Sequence, residues 1–145
     1  MDIASKNATE LLEALLHARE AFGEMVNEAR ARPGVIYAKQ FVRVAASPFR
    51  VHREGVIEEY VSAVSVGASV KHSNESEVFW AVDICWNEKE WTILASVEID
   101  RDGALERVKD FDPVASSTLA DCLSALKSAT IGLQRHADAV NLLSA

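Results

Sequence analysis

The chain has 145 residues, of which 49% are hydrophobic and 26% charged, and its net charge at neutral pH is −7. That composition suits one packed domain over 1–145 and excludes a disordered chain. The acidity argues against duplex nucleic acid as a ligand, and the apolar runs fall far short of the roughly 20 residues of a membrane span.

The first ten residues, MDIASKNATE, are polar and acidic. They lack the basic start and apolar stretch of a signal peptide, so the expected location is cytoplasmic. Cys85 and Cys122 are 37 positions apart with no CxxC spacing and no adjacent His. Two reduced, buried thiols are expected, with no metal site.

Residues 6–31 predict an amphipathic helix, with Leu11, Leu12, Leu15, Phe22, Met25 and Val26 among its apolar positions. Ser5 or Asn7 is the expected cap, and Pro33-Gly34 the stop. Residues 35–46 alternate, with Ile36, Ala38, Gln40, Val42 and Val44 on one parity and Lys39 and Arg43 on the other. This reads as a strand, although a helix fits the composition too. Ser47-Pro48 is expected to break it. Lys39, Arg43, Arg50 and Arg53 are interleaved with Tyr37, Phe41 and Phe49. A single-strand nucleic-acid groove uses such a pattern, but four cations without further support read first as a solvated edge strand guarded against aggregation. Residues 56–70 predict a second strand, in which Gly67 marks a bulge or a close backbone approach.

The most informative stretch is Val78 to Ile99, VFWAVDICWNEKEWTILASVEI. Val78, Trp80, Val82, Ile84 and Trp86 share one parity, and so do Trp91, Ile93, Ala95, Val97 and Ile99. Strand side chains alternate faces, so each run has one wholly apolar side. A four-residue loop at 87–90 pairs Trp86 with Trp91, Ile84 with Ile93, Val82 with Ala95, Trp80 with Val97 and Val78 with Ile99, and both apolar sides then coincide. The opposite face carries Phe79, Ala81, Asp83 and Cys85 beside Thr92, Leu94, Ser96 and Glu98.

Asp100-Arg101-Asp102-Gly103 is a turn. It is not a calcium loop, because Leu105 and Phe111 stand where that motif needs Gly and Glu. Residues 104–111 add a short strand or coil. Residues 117–143 predict a second amphipathic helix, capped by Ser117 or Thr118. The expected fold is α+β: a two-layer sandwich in which helices at the two chain ends flank an antiparallel four-stranded sheet, in the order α-β-β-β-β-α.

The chain contains no GxSxG, Walker loop, GxGxxG, HExxH or Cys/His metal spacing. A non-catalytic binding protein without a cofactor is expected. Charge is uneven: residues 35–55 carry 4 basic groups and 1 acidic, whereas residues 56–114 carry 5 basic and 13 acidic. A field of one sign steers an oppositely charged partner.

The helix–four-strand–helix order, carried by the hairpin WAVDICWNEKEWTILASVEIDRDG and the helix from Ser117, is similar to that of several small bacterial immunity proteins. These are made beside contact-dependent or polymorphic toxins, often nucleases. The resemblance implies a one-to-one complex in the producing cell's cytoplasm that blocks a basic toxin domain. The candidate partner-binding residues are Phe79, Asp83, Glu88, Glu90, Leu94, Glu98, Asp100 and Asp102. An acidic secretion chaperone binding an effector peptide is the alternative, followed by a small-ligand or single-stranded nucleic-acid binding domain. Monomer and dimer both remain open.

Overall fold

The structure is a computed structural model that describes residues 2–53, 55–86 and 89–144, and for side chains omits 45–53, 58 and 60–63. Its elements are α1 (Ile3–Ala21), α2 (Gly23–Arg30), β1 (Val35–Arg53), β2 (Val56–His72), β3 (Glu77–Trp86), β4 (Trp91–Arg101), β5 (Ala104–Asp110), β6 (Val114–Ser116) and α3 (Leu119–Gln134). A 3₁₀ segment, Ala137–Ser144, follows α3. The architecture is α+β, with helices from both ends of the chain packed on an antiparallel sheet.

The sheet has six strands rather than four. Its order is β1-β2-β3-β4-β5, and β6 pairs with the remaining stretch of β4. The fifth strand was hard to read because ALERVKD has no apolar face, and all seven of its residues are exposed. It is held by pairing with β4, to which it is joined by a tight Asp102-Gly103 turn. Both turn residues have positive φ, 53° and 79°, which is the backbone of a two-residue hairpin loop.

The central hairpin has the expected register from Val78↔Ile99 to Trp86↔Trp91. Its apolar face is the core. Val78, Val82, Ile84, Ile93, Val97 and Ile99 are all buried, and so is Trp80, at 1% exposure. The Trp80 indole N–H donates to the His136 carbonyl at 2.9 Å, so the largest core side chain carries no unmet donor. Trp86 and Trp91 are only half-buried. They close the end of the hairpin with ring centroids 4.9 Å apart.

The expected helix over 6–31 is two helices that break at Phe22. Asp2, not Ser5 or Asn7, caps the start by accepting from the Ser5 amide at 2.7 Å. At the break Phe22 is fully buried, and Gly23 follows it, a poor helix former. Side chains from other elements donate to carbonyls at the break, in addition to the Phe22 amide, which donates to the Arg19 carbonyl at 3.2 Å. Gln40 donates to Arg19 at 3.1 Å and Gln134 donates to Ala21 at 2.6 Å. The C-terminal helix starts at the expected cap, Thr118, which accepts from the Asp121 amide. It stops at Gln134 rather than 143, and the chain continues in the 3₁₀ segment.

Ser47-Pro48 does not end β1. The strand continues to Arg53, with a register shift between Val44 and Ser47. Proline is tolerated because β1 is an edge strand, where a missing N–H breaks no ladder on the free side. The last β2–β3 pair is Val61↔Trp86, so the tip of the β1–β2 hairpin extends past β3.

Gly67 is a close-approach glycine, as its place in the strand implied. A Cβ there would lie 1.9 Å from the Trp80 carbonyl oxygen and 2.8 Å from Phe41 Cζ. Gly67→Ala is therefore expected to destabilise the fold by about 2 kcal/mol or more, read as a lower urea midpoint. An unchanged midpoint would mean that β2 and β3 do not approach so closely.

Candidate functional site

All three helices pack on one face of the sheet, and the site is the face they leave uncovered. Strand pairing assembles it in rungs. Arg43, Ser65, Asp83 and Leu94 form one rung across β1 to β4, and Phe41, Gly67, Ala81 and Ser96 form the next. Lys39, Ser69, Phe79 and Glu98 form the third, and Tyr37, Lys71, Glu77 and Asp100 the fourth.

The consequence of this register is a trough. β2 contributes small residues, Ser65, Gly67 and Ser69, so its line is low. Phe41 and Phe79 stand on either side, and a cavity of about 280 Å³ opens among Lys39, Phe41, Arg43, Ser69, Glu77 and Phe79. The Arg43 guanidinium lies 4.1 Å from the centre of the Phe41 ring, and Lys39 lies 4.9 Å from that of Tyr37. Cations thus line the β1 side, and carboxylates stand on β3 and β4.

The carboxylates differ in environment. Burial pushes the Asp83 carboxyl above its ordinary value. The Ser65 hydroxyl, which hydrogen-bonds it, pulls the other way; Glu98 raises it further and Arg43 lowers it. Glu98 accepts from Arg107 Nη2 at 3.0 Å and from Ser96 Oγ at 3.3 Å, and Arg107 also reaches Asp110 at 3.4 Å. Glu77 accepts the Tyr37 hydroxyl at 2.6 and 2.9 Å. That hydrogen bond, then burial, then the Glu77 charge push the Tyr37 phenol up to about 12.

The eight candidate residues do not form one patch. Phe79, Asp83, Leu94 and Glu98 do come together, with Asp83 opposite Leu94 and Phe79 opposite Glu98. Asp100 sits at one end of the hairpin opposite Glu77, and Asp102 lies in the turn beyond it. Glu90 is at the other end, beside Trp91, roughly 30 Å away along an extended strand. Glu88 lies outside the described residues. Of the basic–aromatic set, Lys39 and Arg43 share the open face with Tyr37 and Phe41, and the side chains of Phe49, Arg50 and Arg53 lie outside the described residues.

Two features of the face went unread in the sequence. One is the Phe41–Gly67 crossing, which depends on a hairpin register interrupted by two shifts. The other is the Glu98–Arg107 pair, which needs the β4–β5 register. Both thiols are buried, and burial, aided by Asp83 and Cys122, pushes Cys85 up to about 12. Among the described residues no three His, Cys, Asp or Glu side chains are placed to hold a metal ion. No helix among them is long and apolar enough to cross a membrane. Comparison with protein-family models, with curated proteins and with solved structures finds no match to this chain.

Because burial raises the Asp83 pKa in the folded state, its ionised form opposes folding at neutral pH, and that cost disappears as pH falls through the folded pKa. Asp83→Asn is therefore expected to melt at a higher temperature than the parent at pH 7. The gain should shrink toward pH 4, near the unfolded value. A variant less stable than the parent at pH 7 would mean that Arg43 and Ser65 outweigh burial.

Proposed function

We propose that this chain is a non-catalytic binding protein that captures a cationic protein on the uncovered face of its sheet. The role is that of an immunity protein that neutralises a basic toxin domain by covering it. The observation that carries this reading is the convergence of Asp83 and Glu98 with the half-exposed apolar side chains of Phe79 and Leu94 on a face with no helix over it. Apolar anchors ringed by charge supply affinity and partner choice together. A chain of net charge −7 meets a basic partner faster than a neutral one would, and the effect weakens with salt.

The basic C-terminal domain of a toxin encoded next to this chain is the partner to test. A one-to-one complex is expected. The double variant Asp83→Asn/Glu98→Gln should lose on the order of tenfold in affinity at low salt, and Phe79→Ala a similar amount. Affinity unaltered by both changes would remove this face from the reading.

The second reading, an acidic secretion chaperone, draws on exposed apolar side chains elsewhere. Leu12 and Leu16 on α1 are 61% and 58% exposed, and Val44 on the edge strand is 82% exposed. A chaperone of that kind is a dimer that binds an extended peptide. Sedimentation of the isolated protein separates the two: a monomer favours the immunity role, and a dimer favours the chaperone.

A further inference from the structure

The outer surface of the helical layer carries a second feature, on the opposite side of the molecule from the open sheet face. α1 and α3 pack against each other, and side chains of both line a groove at their junction. The apolar side chains on its two walls differ in size. Along this line α1 presents Ala14, Ala18 and Ala21, whereas α3 presents Leu123, Leu126 and Ile131. The groove has a volume of about 420 Å³. Ala18 and Leu126 are buried at its base, and Ile131 remains 42% exposed on its rim. From Leu123 to Gln134 the α3 wall runs about 16 Å, room for three turns of another helix.

The two walls differ in charge. Each residue advances 100° around a helix, so Glu13 and Glu20, seven apart, stand about 40–60° further round than His17, which lines the groove. Both are exposed, so the crest of the α1 wall is acidic. Lys127 lies on the α3 wall. An apolar floor with one acidic and one basic rim matches a particular kind of occupant.

We propose that this groove docks an amphipathic helix of a partner protein, apolar along one edge, with its basic flank over α1 and its neutral or acidic flank over Lys127. Small-residue walls let the visiting helix come close to α1, and the unequal rims fix its rotation. The inference stands apart from the open-face reading, because the two surfaces lie on opposite layers and share no residue.

The probe is a fluorescein-labelled 18-residue peptide patterned as an amphipathic helix, with Leu along one edge, Lys on one flank and Gln on the other, titrated at low salt and followed by anisotropy. Micromolar binding is expected. A scrambled peptide of the same composition, and a Leu/Glu peptide of the same pattern, should each bind at least about tenfold more weakly. Glu13→Gln/Glu20→Gln in the protein should weaken binding on the order of tenfold, and Ile131→Asn should do likewise. All three side chains are exposed, so circular dichroism should stay unchanged. Asp83→Asn/Glu98→Gln removes the same number of charges from the open face and should leave the affinity as it was. The proposal is overturned if the scrambled peptide binds equally well, if the open-face pair weakens binding as much as the α1 pair, or if no binding occurs up to about 100 µM, on the order of a hundredfold above a micromolar Kd.

Discussion

The pairing of β3 with β4 is the constraint on which this structure rests. Its register sets every even-numbered side chain of Val78–Ile84 against an odd-numbered partner of Ile93–Ile99, and so produces one continuous apolar surface. Each large side chain buried there contributes roughly 1.5–3 kcal/mol. Trp80 ties that surface to the C-terminal layer, because its indole N–H closes on the carbonyl of His136 just beyond α3. A slip of one residue would carry the indole to the open face and the Asp83 carboxylate into the core, and neither group would find a partner there.

The same register creates the uncovered face along Phe79–Asp83 and Leu94–Glu98, because the pleat that turns the apolar set inward turns these neighbours outward; the next pair, Cys85 and Thr92, is buried. What stands on that face is decided by the strands beside it. β2 supplies Ser65, Gly67 and Ser69, which leave space, and β1 supplies Arg43 and Lys39, which line one side with positive charge. The carboxylates are not equivalent. Glu98 is held by Arg107, so a cationic partner of the kind proposed would have to displace or share that guanidinium. Asp83 is half-buried and burial raises the energy of its ionised form, a cost that a cation docked beside it in the proposed complex would offset.

How much of this could be read from residues alone varied with the range of the interaction. The central hairpin was legible because its turn is short and its alternation clean, and two independent signals agreed on Trp86↔Trp91. The Thr118 cap was legible because it is a local demand on one residue, and Gly67 stood out because a glycine inside a strand marks a bulge or a close backbone approach, of which the structure shows the second. β5 was not, since Ala104–Asp110 has no apolar periodicity and is held by backbone pairing. The break at Phe22 was hidden by an apolar stripe that runs through it, while the side chains that donate to its carbonyls, Gln40 and Gln134, come from distant parts of the chain. The candidate site shows the same division. Phe79, Asp83, Leu94 and Glu98 follow from one hairpin, but their cationic neighbours follow only from the long β1–β2 register with its bulges.

One measurement addresses the central claim, that the sheet buries one face and offers the other. Single cysteines placed at Ala81 and Ala95 sit on adjacent strands, similar in size and opposite in face, and the native Cys85 and Cys122 are buried. Thiol-exchange rates in the folded protein are then compared. The account predicts that the Ala81→Cys thiol reacts at least on the order of a hundredfold faster than the Ala95→Cys thiol, since exposure governs access. Equal rates, or a faster reaction at position 95, would contradict it.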